Sequence, residues 1–280
     1  RLPRPWLKSL HPGTASWVPG LRRGFDAAAH ASISDGHDGS SPVYLGFRIF
    51  SGGSNMSESE TIRIYHFCNE EFGIQNIEKK RLKVATIMDL NDPFEMLCFS
   101  SGDKEVRRAI ADFKTKTANV FGMLCFSKDF LSPVQWAHYA DKHKGLCLAF
   151  DVPVDSLRTV EYKTGRMEFD VGKYSDMNKA SRSELMEQQF HIKHSQWKYE
   201  KEVRQVFLLN SAKKDGALYF KDFSNIGKLS QVIVGCNSTI TRSVLRKSLG
   251  VLHADVECFK VRTAFKTYRI VRNRNASLWE

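Results

Sequence analysis

Long apolar runs are missing from this chain. No stretch of its 280 residues approaches the roughly 18 unbroken apolar residues that a membrane-crossing helix needs, so no membrane partner is expected. Paired cysteines are missing too. Cys68, Cys98, Cys125, Cys147, Cys236 and Cys258 form no CxxC pair, and most lie in apolar runs such as Met123–Phe126 and Leu146–Ala149. That pattern excludes a zinc knuckle and a disulfide framework, and it makes a reducing cytoplasm the expected location. A GxGxxG loop and a Walker loop are absent, which argues against a Rossmann domain and a P-loop NTPase, and HExxH spacing is absent around His191 and His194. No fixed-period repeat is found. What is abundant is positive charge. A formal net charge of +11 favours anionic partners, either nucleic acid or a phosphorylated small molecule.

Residues 1–55 differ from the rest. They hold 8 of the 18 glycines and 5 of the 8 prolines, and no helical or strand period persists in them. The first methionine is Met56, just before the first convincing strand. Residues 1–55 are therefore read as a disordered or spurious extension, with a transit peptide as the alternative, and residues 56–275 as a single α+β domain.

Within that domain Thr61–Phe67 alternates as a strand does, and Asn69 is placed to cap a helix that opens on Glu70 and Glu71. Leu82–Ile87, Gly122–Ser127, Leu146–Asp151, Thr159–Lys163 and Tyr199–Leu209 read as strands, with further short strands towards the C-terminus. Ser132-Pro133 opens a helix expected to run from Pro133 to Lys144, and a long polar helix is expected near Ser181–His194. Strands outnumber helices without strict alternation. The expected fold is thus α+β, with mixed, largely antiparallel sheets and inserted helices.

Four constellations can carry chemistry. In Trp197–Arg204, a strand would set Glu200, Glu202 and Arg204 on one side, about 6.6 Å apart. Neighbouring carboxylates raise one another's pKa and a guanidinium lowers it, so one glutamate can stay ionised while the other exchanges a proton. A surface charge ladder is the plain alternative. On the Pro133 helix, Trp136 and Tyr139 share a face that would either pack in the core or form an aromatic wall for a planar ring. His66, between Tyr65 and Phe67 but pointing to the opposite side, is a core or rim histidine, or a group that holds a ribose hydroxyl. The loop Asn91-Asp92-Pro93-Phe94-Glu95 is an Asx turn, or a ligand contact through Asn91 and Asp92. Weaker signals are Glu161 and Lys163 with Asp151 or Asp155, His191 with His194, and the basic strip Lys260, Arg262, Lys266, Arg269, Arg272 and Arg274. No metal site is expected.

Taken in order, Tyr65-His-Phe67, Leu90-Asn-Asp-Pro-Phe-Glu95, Cys125-Phe-Ser127, Trp136-Ala-His-Tyr-Ala-Asp141, Gly145-Leu-Cys-Leu-Ala-Phe150 and Tyr199-Glu-Lys-Glu-Val-Arg204 resemble the bacterial domain-of-unknown-function 2971 family. The layout is more remotely similar to ADP-ribosyltransferases that split NAD. That resemblance implies NAD as substrate, His66 in the first-strand position, either Tyr139 or Ser127 in the middle position, and Glu200 and Glu202 as the E-x-E pair. Glu202 would stabilise an oxocarbenium-like ribose, Arg204 and His66 would hold phosphate or ribose, and Trp136 and Tyr139 would stack nicotinamide. The target would be a nucleic acid or a protein. The competing expectations are a metal-dependent nuclease built on Glu161 and Lys163, and a non-enzymatic ligand- or peptide-binding module.

Overall fold

The computed structural model of the chain describes residues 60–275, 277, 279 and 280. The expectations for residues 1–55 and for Met56 lie outside them. The fold is α+β, with a mixed, mostly antiparallel sheet. Its strands in chain order are β1 (Thr61–Cys68), β2 (Arg81–Thr86), β3 (Phe99–Ser100), β4 (Phe121–Ser127), β5 (Leu146–Pro153), β6 (Arg158–Thr159), β7 (Glu161–Lys163), β8 (Met167–Glu168), β9 (Ile192–His194), β10 (Glu202–Leu208), β11 (Lys213–Asp215), β12 (Leu218–Asp222), β13 (Lys228–Val234), β14 (Glu257–Thr263) and β15 (Ile270–Arg272). The helices are α1 (Glu70–Lys79), α2 (Lys104–Ala118), α3 (Pro133–Tyr139), α4 (Val171–Asp176), α5 (Lys179–Gln188) and α6 (Arg242–Leu249). The main sheet runs β11-β12-β2-β4-β1-β5-β13-β14-β15, with β10 attached to β4 and β6 attached to β10. Only the β13–β14 pair in it is parallel, and β3–β8 and β7–β9 form two small parallel pairs apart from it.

Local chemistry sets several boundaries. The Asn69 side chain accepts a hydrogen bond from the Phe72 N–H at 2.8 Å, as an N-cap should, and Lys80 closes α1 in the left-handed region. Ser132 caps α3 through the Gln135 N–H, with Pro133 in its first turn. That helix is shorter than expected. It stops at Tyr139, and Asp141, Lys142 and His143 all take positive φ. These three residues return the chain to Gly145, where a Cβ would fall 2.1 Å from the Cys68 carbonyl oxygen, so only glycine fits.

Two other expectations are corrected. The predicted helix near Ser181–His194 is α5, which stops at Gln188 and is followed by a 3₁₀ turn, and Ile192–His194 is a strand. His191 and His194 therefore never share a helical face. The predicted strand Tyr199–Leu209 begins only at Glu202. Ser195–Glu200 is a 3₁₀ turn, ended by Lys201 at φ 46°.

The strand register explains how a cleft can form. On one side β10 pairs with the whole of β4, from Phe121 opposite Leu208 to Ser127 opposite Glu202. On the other side two strands share β4. Gly122 and Met123 pair with β2, and Ser127 pairs with Tyr65 of β1. Between them Leu124, Cys125 and Phe126 have no strand partner on that side among the described residues. One face of the sheet carries a continuous core, in which Ile64, Leu124, Phe126 and Val203 pack with Ile77 of α1 and with Leu245 and Leu249 of α6. The other face carries two separate cores. One holds Met123, Phe190 and the apolar stripe of α2, and the other holds Trp136, Cys147, Phe259 and Val261.

Candidate active site

Glu202 and Arg204 leave β10 towards the face that carries the two separate cores, because they sit opposite Ser127 and Cys125 in the register. Arg204 is completely buried. Its Nε and Nη2 donate to the two Glu202 oxygens at 2.7 and 3.0 Å, its Nη1 and Nη2 donate to Glu95 at 3.0 and 2.6 Å, and Nη1 also donates to the Phe190 carbonyl at 2.7 Å. All five guanidinium N–H groups are thereby used. Lys193 joins from β9, with its Nζ 2.6 Å from Glu200, 3.1 Å from Glu202 and 3.5 Å from Glu95. Three carboxylates thus meet two cations, and the buried network carries one negative charge in excess when all are ionised.

Environment separates the two glutamates. Burial alone would raise the Glu202 carboxyl, but the Arg204 guanidinium and then Lys193 overcome it and hold it at about 2. Burial raises the Glu200 carboxyl, and Lys193 and the Tyr139 hydroxyl only partly offset the rise. The Tyr139 hydroxyl donates a short hydrogen bond to Glu200, and burial followed by that bond pushes its own pKa up. Gln135 donates to the Glu200 carbonyl at 2.8 Å and accepts from the Ser127 hydroxyl at 3.3 Å. The Tyr162 hydroxyl accepts from the Glu202 N–H at 2.8 Å, which fixes the start of β10.

A cleft opens over the network where β1 and β2 part. It holds about 230 Å³ and opens to solvent, room for one end of a ligand and not for a whole dinucleotide. His66 fills the gap in the ladder. Its Nδ1 lies 3.2 Å from the Cys125 carbonyl, one of the groups that lacks a strand partner. That contact requires the proton on Nδ1 and leaves Nε2 as an acceptor. Burial lowers the His66 pKa, so the imidazole is neutral near pH 7.

Of the residues predicted from sequence, Tyr65, His66, Asn91, Ser127, Tyr139, Glu200 and Glu202 line this one cleft. Three do not. Trp136 is fully buried, with its ring edge-on to Phe67 at 5.2 Å and its indole N–H bonded to the Phe130 carbonyl, so it belongs to the core and not to an aromatic wall. Arg204 has no donor left for phosphate or ribose. Asp92 is buried and accepts from the Phe94 N–H at 2.9 Å, which is the Asx-turn reading of its loop. Glu200 reaches the cleft from the 3₁₀ turn and not from a strand face shared with Glu202. Sequence reasoning missed Lys193, which lay in the expected helix, and did not single out Glu95 within its loop. A lysine flanked by Ile192 and three residues after Phe190 was the available signal for a buried cation.

The residues behind the nuclease reading lie on different sheets. Glu161 pairs with its neighbour Lys163 in a small sheet, whereas Asp151 pairs with Arg63 in the main sheet. Among the described residues no group of three His, Cys, Asp or Glu side chains could hold a metal ion, and no helix is long and apolar enough to cross a membrane.

His191 sits at the edge of the network with a buried Nδ1 that lacks a hydrogen-bond partner. Burial, and then the Arg204 and Arg158 charges, lower its pKa to about 4. In the unfolded chain it takes its proton near pH 6.5. Its contribution is therefore complete above that pH and is lost as the pH falls towards 4, about 3 kcal/mol in all. Urea unfolding curves recorded from pH 7 to 4 should show this loss, and His191→Gln should flatten it. An equal slope in both proteins would refute the assignment.

Residues 135–205 match the model of a family described as a protein of unknown function (DUF2971). The matched segment runs from Gln135 in α3 to Gln205 in β10, so it holds Tyr139, Lys193, Glu200, Glu202 and Arg204 and leaves out His66, Glu95 and Ser127. No curated protein and no solved structure matches the chain.

Proposed function

We propose that the chain is an ADP-ribosyltransferase-like enzyme that takes the nicotinamide–ribose end of NAD into the cleft between β1 and β2 and cleaves its nicotinamide–ribose bond. The observation that carries this reading is that three carboxylates, Glu95, Glu200 and Glu202, meet only two cations, Lys193 and Arg204, beneath the cleft. A buried negative surplus favours a cation, and NAD brings one. Its pyridinium ring is positive in the ground state. As the C1′–N bond breaks, the electron pair leaves with nicotinamide, which becomes neutral, and the positive charge passes to the ribose. A fixed carboxylate stabilises that oxocarbenium-like state more than the ground state, as in glycoside cleavage.

The roles differ from those first given to the pair. Glu202 is held from both ends by Arg204 and Lys193, and it fixes the geometry. Glu200, with its raised pKa and its Tyr139 partner, is the carboxylate that faces the ribose. When an acceptor oxygen or nitrogen attacks C1′, its proton passes to Glu200. Tyr139 fits the middle position better than Ser127, whose hydroxyl is turned to Gln135. The neutral His66, with Nε2 free to accept, suits a ribose hydroxyl.

The test is release of nicotinamide from NAD by the purified chain, with and without candidate protein or nucleic-acid acceptors, alongside calorimetric titration with NAD. Release or saturable binding that Tyr139→Phe weakens is the expected result. Neither binding nor release by folded protein would remove the proposal. A binding module without catalysis would bind a ligand in the cleft and release nothing.

A further inference from the structure

The β14–β15 hairpin stands apart from the cleft chemistry. Its six-residue loop, Ala264–Arg269, closes on the Ala264 N–H bonded to the Arg269 carbonyl at 2.9 Å, at the edge of the main sheet. Two large rings project from it. Phe265 is 90 % exposed and Tyr268 is 99 % exposed. Rings left this far out of a core gain nothing for the fold. The hairpin base is firm without them, because Ile270 bonds to the Leu131 carbonyl, Asn273 to the Lys260 carbonyl, and Arg272 pairs with Glu257.

The charge around the rings has one sign. Residues 258–279 contain Lys260, Arg262, Lys266, Arg269, Arg272 and Arg274 and no acidic residue. Lys266 and Arg269 are exposed and make no side-chain ion pair or hydrogen bond among the described residues. The Arg262 guanidinium lies over one face of Phe265, 4.1 Å from its centroid, and so leaves the other face for a second planar group.

We propose that this hairpin binds single-stranded nucleic acid, with bases stacked on Phe265 and Tyr268 and phosphates drawn to Lys266, Arg269 and their neighbours. Stacking rings interleaved with cations is the arrangement that holds an unpaired strand without reading its sequence. A duplex hides its base faces, so the rings favour single strands. An anionic membrane would satisfy the charges, but two rings separated by Lys266 and Thr267 offer no continuous apolar face to insert. The proposal does not rest on NAD chemistry, and it can hold or fail independently of the cleft.

Fluorescence anisotropy of a short labelled single-stranded oligonucleotide with the full chain tests it. Both rings lie outside the core, so Phe265→Ala/Tyr268→Ala should fold normally and bind at least about tenfold more weakly, the scale of lost base stacking. Lys266→Ala/Arg269→Ala should reduce the slope of log affinity against log salt by about 1.4, as expected when two phosphate contacts are lost from a single strand. Three results would overturn the proposal. They are unchanged affinity in the ring variant, equal affinity for a duplex of the same length, and binding to phosphatidylserine-containing vesicles without binding to the oligonucleotide.

Discussion

Replacing Glu200 with glutamine is expected to lower nicotinamide release from NAD by about a hundredfold or more while the protein stays folded, the scale seen when one preorganised group is lost from a transition-state site. The fold should survive because of the charge count. Glu200 is the member that puts the network in negative surplus, and glutamine leaves Glu95 and Glu202 balanced against Lys193 and Arg204. Glutamine has the same size and can still accept the Tyr139 hydrogen bond. The cleft, however, loses the charge that favours the cationic state and the base that takes the acceptor proton.

The wild-type pH profile should carry the same signature. Glu200 must be ionised, and burial raises its pKa. Activity should therefore fall as the pH drops through that raised value, at a higher pH than an ordinary glutamate would give. Glu202→Gln is a different experiment, since it breaks the paired bonds to Arg204, and its loss of activity would be mixed with loss of structure. Turnover by Glu200→Gln equal to wild type would refute the assignment of Glu200, even if NAD is cleaved.

Replacing Arg204 with methionine is expected to cost about 3–5 kcal/mol of stability, as when one partner of a buried ion pair is removed. That is a large part of the 5–15 kcal/mol typical of a domain. Arg204 is fully buried, and its removal leaves Glu95, Glu200 and Glu202 to share Lys193 and leaves the Phe190 carbonyl without its donor. Arg204→Lys should recover little. An ammonium has three donors and no planar fork, so it cannot engage both carboxylates edge-on as the guanidinium does.

The acid behaviour gives a second readout. The folded pKa of Glu202 is depressed, so its contribution is present above the unfolded value near 4.5 and is lost as the pH falls towards about 2. The gap between wild type and Arg204→Met should narrow over that window, because the wild-type advantage disappears there. Glu200 acts in the opposite sense. Its raised pKa makes ionisation a cost to the fold, and that cost is relieved as the pH falls. Chemical denaturation of both proteins at pH 7 and near pH 3 measures these effects. A variant within 1 kcal/mol of wild type at pH 7 would mean that the network contributes no net stability.

Much of the fold was readable locally. Asn69, Ser132 and the alternation of Thr61–Phe67 act through neighbours a few residues away, so they predict the same structure in the sequence and in the folded chain. Failures occurred where long-range packing overrode local preference. The segment containing Lys193 has helical composition, yet it pairs with β7 as a strand and delivers its ammonium to three carboxylates. Pro133–Lys144 has a helical period throughout, but the close approach of Gly145 to the Cys68 carbonyl requires the chain to turn back after Tyr139.

By itself the sequence determined the α+β class, the alternation that puts His66 opposite Tyr65 and Phe67, and the presence of a carboxylate pair beside Arg204. Those features depend on residue type and on alternation over a few neighbouring residues. Only the tertiary structure decided that Glu200 arrives from a 3₁₀ turn, that Arg204 is spent inside the protein, and that Trp136 is core. The divergence of β1 from β2 along β4, and with it the cleft, was also decided there. Each of these depends on which distant strand supplies a hydrogen-bond or charge partner. That choice is made by the balance of burial against pairing across the whole sheet, and no stretch of a few residues contains it.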